Sequence, residues 1–104
     1  MSKSKFDKAV EIVKNLPKDG AVKPSTDDQL YFYANFKQGT IGDVDIPRPG
    51  MLDFTGKAKW DAWNAIKGTS TEQAHTNYVA KLIELLKAAG DEESQKYIAE
   101  IEAA

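Results

Sequence analysis

Apolar residues recur along the chain with the spacing of helices that bury one face. The first series comprises Phe6, Ala9, Val10, Val13 and Leu16. Their i, i+3, i+4, i+7 spacing predicts a helix face. Pro17 and Gly20 follow at once, and both residues favour the end of a helix.

A second helix is predicted to begin after the loop 17–25. Ser25 or Thr26 offers the N-cap, and Asp27 and Asp28 suit the positive end of the helix dipole. One face carries Leu30, Tyr33, Ala34 and Lys37, while Tyr31, Phe32 and Phe36 lie on other faces. Because aromatic residues occur on several sides, this helix is predicted to touch two neighbours, or one neighbour and a ligand.

The stretch 39–56 holds four glycines and two prolines without helical periodicity, which predicts a long, ordered and functional loop. A third helix is expected over about residues 55–67, with Gly68 just beyond it. Ser70 and Gln73 have the spacing of a capping box for a fourth helix that ends near Gly90. Asp91 can cap a short fifth helix. No strand pattern competes, so the fold class is all-α.

The length of 104 residues allows one domain. The chain has no cysteine, no run of 18 apolar residues and no signal-peptide pattern, so the expected location is cytoplasmic. Residues 91–104 carry five acids and one base (−4), so residues 1–90 carry +2 of the total −2. This balance argues against nucleic-acid binding and suits a small anionic ligand on the body of the domain.

No catalytic or metal site is indicated. His75 is the single histidine, and without a neighbouring nucleophile it is interpreted as a surface residue. Asp43 and Asp45 alternate as in a calcium loop, but the other ligand positions are missing. We therefore expect neither a metal nor a cofactor.

A set of basic and aromatic residues suits a phosphorylated ligand better. It comprises Tyr33, Lys37, Arg48, Lys57, Lys59 and Tyr78. Phenolic hydroxyls and ammonium groups donate to phosphate. Spacing alone leaves open whether these residues converge, or whether the lysines are merely solvated and the aromatics are core.

Three stretches resemble the signature of the acyl-CoA-binding protein (diazepam-binding inhibitor) family. They are Lys37-Gln38-Gly39-Thr40-Ile41-Gly42-Asp43, Pro47-Arg48-Pro49-Gly50-Met51-Leu52-Asp53-Phe54 and Gly56-Lys57-Ala58-Lys59-Trp60-Asp61-Ala62-Trp63-Asn64. The similarity is ungapped there and extends over residues 6–90. It implies a four-helix bundle of up-down-down-up topology. The domain would span residues 1–90, and 91–104 would form an acidic extension with a short fifth helix.

The resemblance also implies which residues touch the ligand. The expected acyl-CoA contacts are Lys14, Tyr33, Phe36, Lys37, Thr55, Lys59 and Tyr78, with Val10 and Leu30 in the acyl-chain groove. Phe36 stands where many members have tyrosine, which removes a hydroxyl donor. Thr55 stands where many members have lysine, which removes a charge. Trp60, Trp63 and the Pro-Arg-Pro-Gly loop are expected to be scaffold.

By the same resemblance, the chain is expected to be a non-enzymatic, monomeric carrier of medium- to long-chain acyl-CoA. It would meet acyl-CoA-using enzymes or membranes transiently and would bind no nucleic acid and no metal. The alternative is an interaction protein that modulates a receptor or partner, as described for some diazepam-binding inhibitors.

Overall fold

The computed structural model describes residues 3–104, so the first two residues of the predicted domain 1–90 lie outside it. Within this range the chain forms helices and no strand. The helices are α1 (Lys3–Asn15), α2 (Thr26–Thr40), α3 (Phe54–Ala65), α4 (Thr71–Ala89) and α5 (Glu92–Ala103). The predicted all-α class is confirmed, and the fifth helix is present.

Cross-helix contacts give the direction of α2 relative to α4. The Lys81 ammonium lies 3.2 Å from the Asp28 carboxylate, and His75 Nε2 lies 2.9 Å from the Gly39 carbonyl. The later residue of α2 therefore meets the earlier residue of α4, so the two helices are antiparallel.

The remaining directions follow in the same way. Near the starts of α1 and α4, the rings of Phe6 and His75 stack with centroids 4.0 Å apart. Further along both helices, Val10 and Tyr78 line one depression, so α1 and α4 are parallel. Lys59 approaches the Tyr33 ring one turn before Trp63 approaches Lys37, so α2 and α3 are parallel. The topology is therefore up-down-down-up, as predicted.

Helix α4 lies at the centre of the core. Its side chains Val79, Leu82 and Leu86 are fully buried. The cluster around them comprises Phe6, Ala9, Ile12, Val22, Phe32, Tyr78 and Ile101. Such burial supplies most of the drive to fold, at about 25 cal/mol per Å² of apolar surface.

The predicted caps are confirmed only in part. Ser25 forms a full capping box, since its hydroxyl accepts from the Asp28 N–H and the Asp28 carboxylate accepts from the Ser25 N–H, both at 3.0 Å. Ser70 accepts from the Gln73 N–H at 3.1 Å, but the Gln73 amide donates to Asn77 instead of returning to Ser70. The box predicted at Ser70 is thus half formed.

The surface interpretation of His75 is wrong. Its side chain is 6% exposed, stacked on Phe6 and hydrogen-bonded to the Gly39 carbonyl. Gly39 also lies inside α2 rather than in the predicted loop 39–56. A Cβ built on Gly39 would lie 2.6 Å from His75 Cδ2, so the missing side chain lets α2 and α4 approach.

Side-chain hydrogen bonds hold the loop 41–53. The indole N–H of Trp63 donates to the Gly42 carbonyl (2.8 Å) and that of Trp60 to the Ile46 carbonyl (2.7 Å). The Asp43 carboxylate accepts from the Gln38 amide and from the Gly68 N–H, each at 2.8 Å. The predicted loop is therefore ordered, and Asp43 serves as a structural acceptor rather than part of a calcium loop.

Helix α5 is tied to α1 through its C-terminal end. The Lys5 ammonium donates to the carbonyls of Ile101 (3.2 Å), Glu102 (2.7 Å) and Ala104 (3.2 Å), which suits the negative end of a helix dipole. Asp91 is the N-cap residue, but its side chain makes no capping hydrogen bond. Ile101 reaches the common core, and the division of the chain at residue 90 stays a prediction.

Leu82→Ala should lower the free energy of unfolding by about 2–5 kcal/mol, because it leaves a cavity in a fully buried site. Urea denaturation followed by circular dichroism measures the change. Leu52→Ala is the matched control, since Leu52 is 90% exposed and its loss should change stability by no more than about 0.5 kcal/mol. Equal effects of the two variants would contradict this description of the core.

The Asp43 carboxylate should stabilise the fold in a pH-dependent way. The hydrogen bonds from the Gly68 N–H and the Gln38 amide hold the pKa of Asp43 below its ordinary value of 3.8. Because its pKa is lowered in the folded state, the Asp43 carboxylate contributes to the free energy of unfolding above pH 4. This contribution is lost as the pH falls through the folded-state pKa. The melting temperature of Asp43→Asn should therefore lie below that of the parent chain at pH 7, and the gap should narrow in acid. A gap that stays constant with pH would refute this role.

Candidate functional site

An open groove of about 330 Å³ lies where α1, α2 and α4 meet. Its lining comprises Val10, Val13, Lys14, Pro24, Gln29, Phe32, Tyr33, Phe36, Lys59 and Tyr78. Six of the residues expected from the sequence to touch a ligand are therefore brought together here. The walls are apolar, and the two lysines supply the charged groups of the lining.

A second groove of about 290 Å³ lies between α2 and the start of α3. Its lining comprises Thr26, Gln29, Leu30, Phe54, Thr55, Ala58 and Lys59. Leu30 and Thr55, also expected from the sequence, lie here. Gln29 and Lys59 line both grooves, so the two form one continuous surface depression.

Two ammonium groups approach the Tyr33 ring. The Nζ atom of Lys59 lies 5.4 Å from the ring centroid, and that of Lys37 lies 5.8 Å from it. Lys37 also lies 5.9 Å from the centroid of Trp63. These distances are within the range of cation–π attraction, which holds both cations beside the rim of the first groove.

The cations of the rim lack acidic partners. Across residues 3–104, the salt bridges involve Lys8, Arg48 and Lys81, and none involves Lys14, Lys37 or Lys59. Three positive charges around an apolar groove, without neutralising carboxylates, favour an anionic ligand with an apolar part.

A family model described as "Acyl CoA binding protein" matches residues 3–82 of the chain. The chain belongs to the acyl-CoA-binding protein family. The resemblance inferred from the three sequence stretches is therefore confirmed, as is the helical bundle expected with it.

Individual members of the family are similar to this chain over most of its length. "Acyl-CoA-binding protein homolog 3" of Caenorhabditis elegans is 42% identical over 88 residues, covering 85% of this chain and 76% of that protein. "Acyl-CoA-binding protein" of Gossypium hirsutum is 44% identical over 88 residues, covering 85% and 94%. The crystal structure of ACBP from Moniliophthora perniciosa is 69% identical, covers 100% of this chain and 98% of that one, and superposes with a TM-score of 0.98.

Two aromatic residues connect the groove of this family member to its core. Tyr78 packs edge-on against Phe6 at 5.3 Å and against Phe32 at 4.9 Å between ring centroids. Burial raises the pKa of the Tyr78 hydroxyl well above its usual range, so the group stays protonated and can donate. Phe36 packs at 6.4 Å from Phe6 while its other side lines the groove.

Lys37 is the one expected contact residue that lines neither groove, although it borders the first through Tyr33. The sequence does not predict seven of the lining residues as ligand contacts: Val13, Pro24, Thr26, Gln29, Phe32, Phe54 and Ala58. Val13 shares the α1 face of Val10 at i+3, and Gln29 shares the α2 face of Tyr33 at i+4, so helical spacing could have found both. Pro24, in a loop, and Phe54, the first residue of α3, carry no such signal, because tertiary packing decides what these positions meet.

Two further findings concern residues 3–104. No helix there is long and apolar enough to cross a membrane. No group of three or more histidine, aspartate or glutamate side chains there is arranged to hold a metal ion.

Proposed function

We propose that this chain binds medium- to long-chain acyl-CoA and carries it without chemical change. The observation that supports this most is the placement of Lys14, Lys37 and Lys59 in or beside a depression with apolar walls, without a salt bridge to any of residues 3–104. An acyl-CoA has the matching halves, a polyanionic head and a hydrocarbon chain. The relatives' names refer to the same ligand.

The head binds at the rim formed by Lys14, Lys37 and Lys59. Coenzyme A carries about four negative charges near neutral pH, from a phosphomonoester and a diphosphate. Each charge-assisted hydrogen bond to phosphate contributes about 1.5–3 kcal/mol. Tyr33, whose ring two of these ammonium groups approach, offers an aromatic surface to the adenine, and Tyr78 offers a protonated hydroxyl.

The acyl chain lies in the apolar part of the depression. Val10 lines the first groove and Leu30 the second. Each methylene that leaves water contributes about 0.8 kcal/mol, so a long chain adds on the order of 10 kcal/mol before the costs of ordering it. A neighbouring depression of about 380 Å³ along residues 13–24 extends the apolar surface, which suggests that the loop 17–25 tunes chain-length preference.

The two departures from the family pattern, Phe36 and Thr55, lie in different grooves. Phe36 lines the first groove and supplies a ring face without a hydroxyl, so one hydrogen bond to the head is lost. Thr55 lines the second groove beside Leu30 and supplies no cation. Both lower the affinity for the head while leaving the apolar surface intact.

A carrier fits the chemistry of the depression better than an enzyme. The lone histidine is stacked under Phe6 and hydrogen-bonded to Gly39, so it is not placed as a base beside a thioester. The chain also has no cysteine. We further propose a monomer in the cytoplasm that meets acyl-CoA-using enzymes or membranes transiently. The receptor-modulating alternative is not favoured, since the matched relatives are named for acyl-CoA binding.

Affinity should rise steeply with acyl-chain length. Titration calorimetry should show tight binding of palmitoyl-CoA, much weaker binding of acetyl-CoA and the weakest binding of free CoA, because buried methylenes supply most of the free energy. A thiol assay on the palmitoyl-CoA mixture should detect no release of CoA. Equal affinities for the three ligands would refute the carrier proposal, and steady release of thiol would favour the enzyme.

Removal of either rim cation should weaken binding selectively. Lys37→Ala and Lys59→Ala should each reduce palmitoyl-CoA affinity by about tenfold or more, because each removes a charge-assisted contact to the head. The melting temperatures should hardly change. Lys87→Ala, in the last turn of α4, is the control and should bind normally. Unchanged affinity in both rim variants would place the phosphate site elsewhere.

A further inference from the structure

Helix α5 is held in place at both of its ends. At the C-terminal end, Ile101 is buried in the common core and the Lys5 ammonium donates to three backbone carbonyls. At the N-terminal end, the Gln95 amide donates to the carbonyl of Gly90, the residue that ends α4, at 3.1 Å. The family model matches residues 3–82, so α5 is a fixed element that lies wholly beyond the matched stretch.

The first half of α5 faces the loop 17–25. A small depression of about 120 Å³ separates the helix from this loop. On the helix side its lining includes Ser94 and Tyr97. On the other side the lining includes the end of α1 and the loop, through Leu16, Pro17 and Val22. Helix α5 therefore forms a wall against which the loop rests.

The loop depends on packing for its position against the body of the domain. The structure describes all of its residues, and among them Val22 alone is buried, in the common core. The Gly20 N–H donates to the Pro17 carbonyl at 3.1 Å, and the Gln29 amide donates to the Pro24 carbonyl at 3.2 Å. Both bonds are local and neither reaches α5, so the apolar contacts of the loop decide where it lies.

The same loop residues also line the neighbouring depression of about 380 Å³, which we call the distal depression. Leu16, Pro17 and Val22 line both this depression and the smaller one against α5. The distal depression adjoins the first groove, because Val13 and Gln29 line both. The three loop-side residues thus stand between α5 and an extension of the groove, so a displacement away from α5 would change the shape of that extension.

The distal depression suits the methyl end of an acyl chain. The rim cations Lys37 and Lys59 do not line it, so the phosphates are held elsewhere. Lys18 and Lys23 belong to its lining, and their alkyl stems can cover hydrocarbon while the ammonium groups stay in water. A chain that begins at the head and follows the first groove reaches the distal depression only when it is long.

We infer that α5 sets the acyl-chain length that this domain prefers, with Tyr97 as the positioning residue. Tyr97 holds the loop at Leu16 and Val22, so the distal depression is formed before the ligand arrives. A preformed apolar site avoids the cost of ordering the loop on binding, and only chains long enough to reach the site gain from it. The inference deepens the function proposed above and rests on it.

The test is titration calorimetry of the full-length Tyr97→Ala variant with octanoyl-CoA and palmitoyl-CoA. The variant should bind palmitoyl-CoA about tenfold more weakly than the parent chain, which is the affinity that roughly two buried methylenes supply. Its affinity for octanoyl-CoA should stay within about twofold of the parent value, because the short chain ends in the first groove. Tyr97→Phe should restore parent behaviour, since the Tyr97 hydroxyl donates to Glu93 on the same helix rather than to the loop.

Ile98→Ala is the matched control. Ile98 is the next residue of α5 and is likewise half-buried against the core, but it does not line the depression between α5 and the loop. Its loss should lower the melting temperature, as that of Tyr97 does, and leave the ratio of the two affinities unchanged. Hydrogen–deuterium exchange of the ligand-free chains gives a second readout. The amides of residues 18–23 should exchange faster in Tyr97→Ala than in the parent chain or in Ile98→Ala.

Three outcomes would overturn the inference: an unchanged ratio of the two affinities in Tyr97→Ala, the same change of that ratio in Ile98→Ala, or loop exchange equal to that of the parent chain. If Tyr97→Ala does not fold, Tyr97→Leu carries the same expectations, because leucine keeps an apolar side chain that is shorter than tyrosine. Failure of the proposed function looks different. A parent chain that binds neither acyl-CoA would refute the carrier and the inference with it, whereas a parent preference for palmitoyl-CoA that Tyr97→Ala leaves intact would refute the inference alone.

Discussion

The antiparallel packing of α2 on α4 is the contact on which the groove depends. The close approach at Gly39, the hydrogen bond of its carbonyl to His75 and the Asp28–Lys81 ion pair fix how far one helix is displaced along the other. With that register, Phe32 meets Tyr78 inside the bundle. If α2 were displaced by one residue along α4, a different face of α2, about 100° around the helix axis, would meet α4. The same contact therefore aligns both the core and the walls of the groove.

Helix α2 packs against both α4 and α3, which explains why aromatic residues occur on several of its sides. Its face toward α4 buries Phe32 and Asn35, while its face toward α3 brings Tyr33 and Lys37 beside Lys59. The cost of gathering like charges is moderated by the ring of Tyr33 and by water at the open rim. Because no carboxylate among the described residues neutralises these lysines, the electrostatic attraction is left for a ligand. The distribution of charge therefore matters more here than the net value of −2.

The segment that identifies the family mostly builds the frame. The indole N–H groups of Trp60 and Trp63 donate to loop carbonyls. The Asp43 carboxylate accepts hydrogen bonds from Gln38 at the end of α2 and from Gly68 before α4. Those bonds fix the path of residues 41–53, and that path places Phe54, the first residue of α3, beside the second groove. A motif can thus be highly specific for a family while few of its residues, namely Phe54, Ala58 and Lys59, line the two grooves.

The sequence by itself determined the helices, the caps at Ser25 and Gly90, and the family, because apolar periodicity, capping residues and the motif residues act locally or appear directly in the chain. It also indicated most of the residues around the groove. The tertiary structure alone decided that His75 is buried, that Gly39 continues a helix, and that Phe54 belongs to the site. Each of these depends on a partner distant in sequence: Phe6 covers His75, His75 crowds Gly39, and Leu30 faces the groove that Phe54 lines. Spacing along one helix reports which face a residue occupies, and only packing decides what that face meets.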